Sequence, residues 1–242
     1  MRRGVGSGRT ERNDHLPRLE LVVGEEIICV PQEAWTLEGF RKWAISPEFP
    51  ERGRITFIAG DLIIDTSPEE PETHIKVKYE FARRLMDLND REDLGEFYGD
   101  GLLVTNEAAE LSCEPDGTFV LSETLASGRA VLVPREGAAG QYTELLGTPD
   151  LVLEVVSKFS VNKDYQRLRQ AYHRAGVPEY WLVNARGKQV EFVILHHRPD
   201  GYGERTLRGG WQRSDVLRHD LRLIRERNQR GLWRYTVEMR KR

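Results

Sequence analysis

GTPDLVLEVVSKFSVNKDYQRLRQAYHRAGVPEYWLVN, residues 147–184, contains two apolar runs that flank one amphipathic stretch. The first run, 151–157, is almost uniformly apolar and β-branched, which predicts a central strand covered on both faces. Apolar residues recur at helical spacing over 162–175, and the second run, 179–183, predicts another buried strand. A strand–helix–strand unit of these lengths is a βαβ crossover, so we expect its two strands to be parallel.

Shorter elements surround this crossover. Residues 54–58 and 61–65 predict a β-hairpin, and residues 72–88 predict a helix. We expect the helix to pack on the core through one face, formed by Ile75, Tyr79, Ala82 and Met86. Other short runs predict strands at 19–23, 26–30, 96–99, 102–105, 118–121, 130–133, 142–145 and 189–196, and a helix at 36–44. The predicted fold class is α/β of the mixed α+β kind, with a mainly antiparallel sheet, flanking helices and one parallel βαβ crossover.

Charge is distributed unevenly along the 242 residues, although the net charge is only −3. Residues 1–18 carry five bases and two acids (net +3), residues 19–204 carry 19 bases and 33 acids (net −14), and residues 205–242 carry twelve bases and four acids (net +8). We expect a disordered basic N-terminus (1–18), one domain (19–200), and a basic C-terminal extension (201–242) whose short strands pack on that domain. Basic ends can bind a polyanion, although solvated surface gives the same pattern.

Composition excludes several classes of protein. Cys29 and Cys113 lie far apart without CxxC spacing, which argues against a disulfide scaffold and a structural zinc site. No apolar run approaches the roughly 20 residues of a membrane-spanning helix, and the first 18 residues lack the apolar segment of a secretory signal. Phosphate-loop, dinucleotide and esterase motifs are absent from the sequence. We therefore expect a cytoplasmic protein without a membrane partner.

One carboxylate interrupts the central apolar run. Glu154 lies between Leu153 and Val155, and a lone buried carboxylate costs several kcal/mol unless it is paired or bound to a metal. A salt bridge to an arginine of the neighbouring helix explains it as well as a metal site does. Asp150 points to the same face about 13 Å away, too far to share a metal with Glu154, and following Pro149 it can simply cap a turn.

A second carboxylate, Asp116, follows Pro115 at the start of a predicted strand. Pro-Asp-Gly is most often a plain turn. Carboxylates from two adjacent strands can, however, meet at one point and bind a hard cation such as Mg²⁺, which activates water and neutralises charge on a phosphate.

Four segments, in this order and spacing, resemble the Uma-type restriction endonucleases of the PD-(D/E)XK nuclease superfamily: EPDGTFV (114–120), GTPDLVLEVVS (147–157), NKDYQRLRQAY (162–172) and AGVPEYWLVN (175–184). The upstream segment GDLIIDTSPEEPETH (60–74) fits as well. The resemblance covers about residues 54–200 and rests on the combination of segments. It implies a restriction-endonuclease-like core, in which a helix and a curved antiparallel sheet are followed by a crossover helix and a further strand.

The resemblance also implies site residues. Asp116 matches the motif aspartate and Glu154 the acid of the (D/E)XK pair, so both are expected to be catalytic and to bind the metal. The family pattern then has a lysine where this chain has Val156. Lys163, from the following helix, is the first candidate to replace it, and Lys158 is the second.

His74 and Glu80 are further candidates on the first core helix. The resemblance makes His74 a catalytic candidate that orients a metal-bound water or contacts phosphate; the alternative is a surface histidine at a helix N-terminus. Glu80 is more typical of a surface charge than of a third acidic ligand. Trp211 and Trp233 can stack on bases, although such residues more often fill a small sheet.

The sequence thus predicts an endonuclease that uses Mg²⁺, or Mn²⁺ in its place, and has DNA as its partner. Val156 in the lysine position keeps open a catalytically inactive nucleic-acid-binding or partner-binding module on the same fold. A structural dimer module that exchanges late strands is a third hypothesis, and a homodimer is compatible with each.

Overall fold

The computed structural model of the chain describes residues 19–23, 26–205 and 207–242, so the predicted disorder of residues 1–18 lies outside the described residues. Its helices are α1 (Leu37–Ala44), α2 (Lys76–Glu92), α3 (Ser122–Ser127) and α4 (Arg169–Arg174). Two π-helical turns, Pro71–Ile75 and Lys163–Leu168, lead directly into α2 and α4, and 3₁₀ turns lie at Gln32–Trp35 and Arg208–Gly210. The strands are β1 (Leu19–Val23), β2 (Glu26–Val30), β3 (Arg54–Ile58), β4 (Asp61–Asp65), β5 (Gly95–Tyr98), β6 (Val104–Asn106), β7 (Leu111–Cys113), β8 (Gly117–Leu121), β9 (Ala130–Pro134), β10 (Tyr142–Gly147), β11 (Leu151–Val155), β12 (Glu179–Asn184), β13 (Glu191–Arg198), β14 (Gly201–Glu204), β15 (Gln212–Ser214), β16 (His219–Arg227) and β17 (Trp233–Lys241).

The central sheet has the order β14-β13-β12-β11-β8-β5. Strands β11 and β12 are parallel, with Glu154 opposite Leu182, and this confirms the predicted crossover. All five residues of β11 are buried, because helices cover both faces of the sheet. Leu153 and its odd-numbered neighbours in β11 pack in the layer with α2, whereas Val152 packs in the layer with α4. Because successive side chains of a strand point to opposite faces of the sheet, Glu154 lies on the same face as Val152, the side covered by α4.

A second sheet, of order β4-β3-β7-β6-β10-β9, contains a parallel pair that the sequence did not predict. Leu145 and Leu146 of β10 pair with Val104 and Thr105 of β6. The chain between them forms β7, β8, α3 and β9, a connection long enough to bring two strands of one sheet into the same direction. Short apolar runs indicate strands but carry no information about such a partner.

The apolar face predicted for the first core helix is wrong. Tyr79 is 70% exposed and Met86 48% exposed, whereas Phe81, Leu85 and Leu88 are fully buried. Both rows have helical spacing, so periodicity alone does not separate them. The row with Phe81 buries more apolar surface against the central sheet, and burial decides which face turns inward.

The last part of the chain forms the antiparallel sheet β15-β16-β17. The sequence suggested alternating short strands here, but β16 and β17 form one long hairpin of nine residues each. Leu221 and Val237 of this hairpin belong to the same apolar layer as α2. The division into 19–200 and 201–242 remains a proposal. None of the described helices is long and apolar enough to cross a membrane.

Candidate active site

A cleft of about 360 Å³ opens beside the carboxyl end of β11. Acidic and basic side chains from β3, the π-helical turn before α2, the start of β8, β11 and the π-helical turn before α4 line it. The four residues predicted to be catalytic all line this cleft, namely His74, Asp116, Glu154 and Lys163. The fold therefore brings together residues that are as many as 89 positions apart in the chain (His74 and Lys163).

Asp116 is held by the central strand. Its side chain is 2% exposed, and its Oδ2 accepts a hydrogen bond of 2.7 Å from the backbone N–H of Val155. The other oxygen, Oδ1, is buried without a hydrogen-bond partner among the described residues, although Arg54 Nη1 lies 3.2 Å away and Lys78 Nζ 3.6 Å away. One oxygen thus fixes the carboxylate, and the other remains able to accept a ligand.

Glu154 is buried, and its partners come from the crossover segment. Its Oε1 accepts a hydrogen bond of 2.7 Å from the Tyr172 hydroxyl, and its Oε2 lies 4.0 Å from Lys163 Nζ. The arginine salt bridge considered from the sequence is not formed by the described residues. Burial raises the pKa of Glu154 to about 8; Lys163 opposes this rise, and the carboxylates of Asp164 and Asp116 add to it.

The positive charge beside Glu154 comes from the helix and not from the strand. Val156, in the position where the family pattern has a lysine, packs in the apolar layer under α4. Burial by itself lowers the pKa of Lys163, but Glu154 and Asp164 outweigh it and keep the pKa above its usual value, so the side chain is an ammonium ion. Lys158 is exposed, lies over the Phe159 ring and does not line the cleft. The geometry favours Lys163 over Lys158.

Two π-helical turns place side chains in the cleft. Lys163 and Asp164 lie in the turn before α4, and His74 lies in the turn before α2. A π-helical turn is wider than an α-helical one and is frequent at functional sites. Asp164 is buried, its Oδ2 accepts a hydrogen bond from Ser160, and burial raises its pKa. The sequence did not single out Asp164, because a charged residue at a helix start is an ordinary N-terminal feature.

A cluster of charges that the sequence did not predict closes the other side of the cleft. Lys78 Nζ lies 2.7 Å from both Glu69 Oε1 and Asp100 Oδ2, and Arg54 pairs with Glu69 and Asp116. Burial by itself lowers the pKa of Arg54, but Asp116 and Asp100 raise it above its usual value. The sequence signal for this cluster is Lys78, a lysine on the buried face of α2. It can be recognised only once the buried face of that helix is known.

Two acidic residues have structural roles instead. Asp150 accepts hydrogen bonds from the Leu121 N–H (2.7 Å) and the Thr124 hydroxyl (3.0 Å), which agrees with a capping role at the strand entry. Glu80 accepts a hydrogen bond of 2.8 Å from the Val237 N–H, so it joins α2 to β17. It is mostly buried, and neither the ligand role nor the simple surface charge describes it.

The donor set of the cleft fits a hard divalent cation. No group of three His, Cys, Asp or Glu side chains in the described part of the chain is arranged around a metal position. Mg²⁺ does not require such a cage, because it binds one or two carboxylates and takes its remaining ligands from water and phosphate. Asp116, whose Oδ1 accepts no hydrogen bond among the described residues but lies near Arg54 and Lys78, and Glu154 are two carboxylates of the cleft that fit this requirement.

Comparison with known proteins identifies the family. The Uma2 family model, described as "Putative restriction endonuclease", matches residues 37–236. The chain belongs to the Uma2 family. The resemblance seen in four sequence segments is thereby confirmed, and Uma2 membership supports a nuclease.

A solved structure shares the Uma2 fold. It is a crystal structure described as a "putative nuclease belonging to DUF820" from Anabaena variabilis ATCC 29413, and it is 16% identical in sequence. The similarity covers 75% of this chain and 90% of that chain, with a TM-score of 0.54. No curated protein matches the sequence.

The hydrogen bond from Tyr172 tunes the carboxylate of this Uma2 site. Tyr172→Phe should raise the pKa of Glu154 by about one further pH unit, because a hydrogen bond to a charged group contributes about 1.5–3 kcal/mol. A carboxyl-carbon NMR titration of the metal-free protein measures this shift. Tyr202→Phe is the matched control, because its hydroxyl donates to the Val177 carbonyl and to no carboxylate. An unchanged Glu154 titration in Tyr172→Phe would refute the coupling.

Proposed function

We propose that this Uma2 protein is a metal-dependent endonuclease that hydrolyses phosphodiester bonds in DNA. The observation that carries the proposal is the buried Glu154, which shares one cleft with Asp116 and has the Lys163 ammonium ion 4.0 Å away. Because burial raises the pKa of Glu154 to about 8, ionisation of this side chain inside a central strand destabilises the fold. Binding of a divalent cation to the carboxylate relieves that cost.

Each group of the cleft has a part in this chemistry. Asp116 and Glu154 hold Mg²⁺ or Mn²⁺, which supplies an activated water and neutralises charge on the phosphate. Lys163 contributes a buried positive charge that orients the phosphate and stabilises the negative charge that develops on it. Arg54 and Lys78 hold the Asp116 side in place through their ion pairs.

His74 is a positioning or phosphate-contacting residue in this proposal. The surface position considered as an alternative does not hold, because His74 is 2% exposed. Its Nε2 lies 3.6 Å from Asp116 Oδ2, and its Nδ1 is buried without a hydrogen-bond partner among the described residues. Glu69 Oε2 lies 3.4 Å from Nδ1, so the imidazole stands between two carboxylates and orients the one of Asp116.

Val156 keeps a second candidate function open, a nucleic-acid-binding or partner-binding module without catalysis. A strand valine neither orients a nucleophile nor stabilises charge. The position of Lys163 beside Glu154 favours the enzyme, because the missing charge enters the cleft from the crossover segment. Salt-dependent DNA binding without metal-dependent cleavage would favour the module.

Cleavage of plasmid DNA tests the enzyme directly. Wild-type protein with Mg²⁺ or Mn²⁺ should convert supercoiled plasmid to nicked and linear forms, and excess chelator should stop the reaction. Asp116→Ala and Glu154→Ala should reduce the rate by at least about a hundredfold, because each removes a metal ligand. Glu238→Ala, which removes an acid that pairs with Arg222 on the late hairpin, should leave the rate unchanged. Equal activity in the wild type and both cleft variants would contradict the assignment.

A cytoplasmic location and a homodimer also remain predictions. The exposed apolar row of α2, which includes Tyr79 and Met86, makes the oligomeric state worth measuring. Sedimentation of the full chain would show whether a dimer forms in solution.

A further inference from the structure

The hairpin of β16 and β17 reaches the rim of the cleft. Its turn, 228–231, is closed by a hydrogen bond of 2.9 Å from the Gly231 N–H to the Asn228 carbonyl. Just behind the turn, the Trp233 N–H donates to Glu72 Oε2 at 2.7 Å and the Trp233 carbonyl accepts from Lys76 Nζ at 3.0 Å. Glu72 and Lys76 belong to the helical segment that also carries His74, a residue of the cleft, so the hairpin tip packs on the opposite side of this same segment.

A second loop joins the hairpin to the cleft. Arg225 of β16 donates to the carbonyls of Ala185 (2.8 Å) and Gly187 (3.0 Å) in the turn between β12 and β13. Arg186 of the same turn donates at 3.1 Å to the carbonyl of Ser157, which lines the cleft. Hydrogen bonds thus link the end of β11, this turn and the hairpin tip into one continuous edge.

This edge is strongly basic. We define the hairpin rim as the exposed cations of the three linked segments, which are Lys158, Arg186, Lys188, Arg227, Arg230 and Arg234. Segments 157–160 and 185–189 contain no acid, and Glu226 is the one acid of 226–234. Arg230 and Arg234 form no ion pair among the described residues. The rim therefore carries six cations against one acid, Glu226, which lies opposite Arg234 in the hairpin, so a net positive edge adjoins the acidic cleft.

Aromatic packing holds part of this charge in place. The Arg227 guanidinium lies 3.3 Å from the centroid of the Trp233 ring, and the Arg225 guanidinium lies 4.2 Å from the same centroid. Stacked guanidinium groups lose less freedom on binding than freely moving ones. Trp233 thereby serves as the platform of the rim, and stacking on a base is not needed to explain it.

We propose that the hairpin rim binds the phosphate backbone of the DNA whose scissile phosphate lies in the cleft. The inference rests on the proposed function, since it assigns the contact surface of the same site. Lysine and arginine contacts to phosphates position a duplex without reading its sequence. The rim thus supplies affinity and orientation, and it offsets the repulsion between DNA and the acidic body.

Two double variants with equal changes of charge test the rim. Arg230→Gln/Arg234→Gln removes two cations of the tip, and Arg208→Gln/Arg218→Gln removes two exposed cations elsewhere in the same C-terminal segment. Arg218 precedes β16 at the end of the hairpin opposite the tip, about 27 Å away along the strand. Binding of a fluorescent DNA duplex is measured by anisotropy over a range of salt concentrations, with chelator present so that no cleavage occurs.

We expect the tip variant to bind at least about tenfold more weakly, with the slope of log K against log salt concentration smaller by about 1–2. The control variant should lose less than about twofold. Equal losses of affinity in both variants would show that only overall charge matters and would contradict DNA binding by the rim. A tip variant that binds DNA like the wild type would contradict it as well.

Cleavage with Mg²⁺ separates this inference from the proposed function. A wild type that cleaves plasmid while the tip variant binds normally would refute the rim alone. If DNA binding by the wild type depends on the tip but the protein cleaves with neither Mg²⁺ nor Mn²⁺, the proposed endonuclease activity is refuted and DNA binding by the rim is retained.

Discussion

Replacement of Lys163 by glutamine should lower the rate of DNA cleavage by about a hundredfold to a thousandfold. Lys158→Gln removes a cation of the hairpin rim and can weaken DNA binding, but with protein in saturating excess it should leave the cleavage rate within about twofold of the wild type. The reason is position. Lys163 Nζ lies 4.0 Å from Glu154 Oε2 inside the cleft, and Lys158 is exposed outside it. The two lysines are five residues apart, and each variant removes one positive charge, from inside the cleft or from outside it. Single-turnover cleavage of a short duplex with saturating Mg²⁺ measures the effect on the reaction step.

The loss of Lys163 also leaves two buried acids without their cation. Circular dichroism and thermal melting of both variants therefore accompany the kinetics, and Lys163→Arg serves as a second variant that keeps the charge. A folded Lys163→Gln protein with full activity would remove the helix lysine from the mechanism. Loss of activity in Lys158→Gln alone would assign the role to the other lysine.

Glu154→Gln should make the metal-free protein more stable at pH 8.5 by several kcal/mol, an increase in melting temperature of about 5–10 °C. The pKa of Glu154 is about 8 in the folded protein, against 4.5 in an ordinary carboxyl group. Between pH 4.5 and 8 the unfolded chain loses this proton and the folded protein keeps it, so ionisation favours unfolding increasingly as the pH rises through that window. At pH 4.5 the carboxyl group is protonated in the folded protein and half protonated in the unfolded chain, so little of the effect remains and the variant and the wild type should melt nearly alike.

Thermal unfolding in the presence of chelator, at pH 4.5 and at pH 8.5, checks this prediction. Glu144→Gln is the matched control, because Glu144 is also buried but lies 2.6 Å from Arg41 Nη2. That variant should be less stable than the wild type, since it removes the buried partner of Arg41 and leaves this partly buried arginine paired with the exposed Glu107. A Glu154→Gln effect of the same size at both pH values would contradict a raised pKa.

The sequence predicted the parts of the fold that depend on local pattern. The largely apolar run of β11, the apolar stripe before Gly176 and the run of β12 sufficed for the parallel crossover, because each has one consistent interpretation. The face of α2 was predicted wrongly, because two rows of apolar residues have the same spacing and only tertiary packing chooses between them.

The candidate site was predictable where a residue violated its local pattern. Glu154 stands out as a charge in an apolar strand, and the family resemblance singled out Asp116, His74 and Lys163. The roles assigned to these residues remain proposals. Arg54 and the other unpredicted charges of the cleft could not be found, because a charged residue at the start of a strand is ordinary until the fold shows what faces it.

The hydrogen bond from the Val155 N–H to Asp116 ties the site to the most protected part of the molecule. Breaking it requires that the buried Asp116 side chain and the buried end of β11 move apart, and we expect such an opening to be rare. Small fluctuations of the surface loops around the cleft therefore leave this carboxylate in place. The amide proton of Val155 is correspondingly a built-in reporter, and its exchange with solvent measures how often the site comes apart.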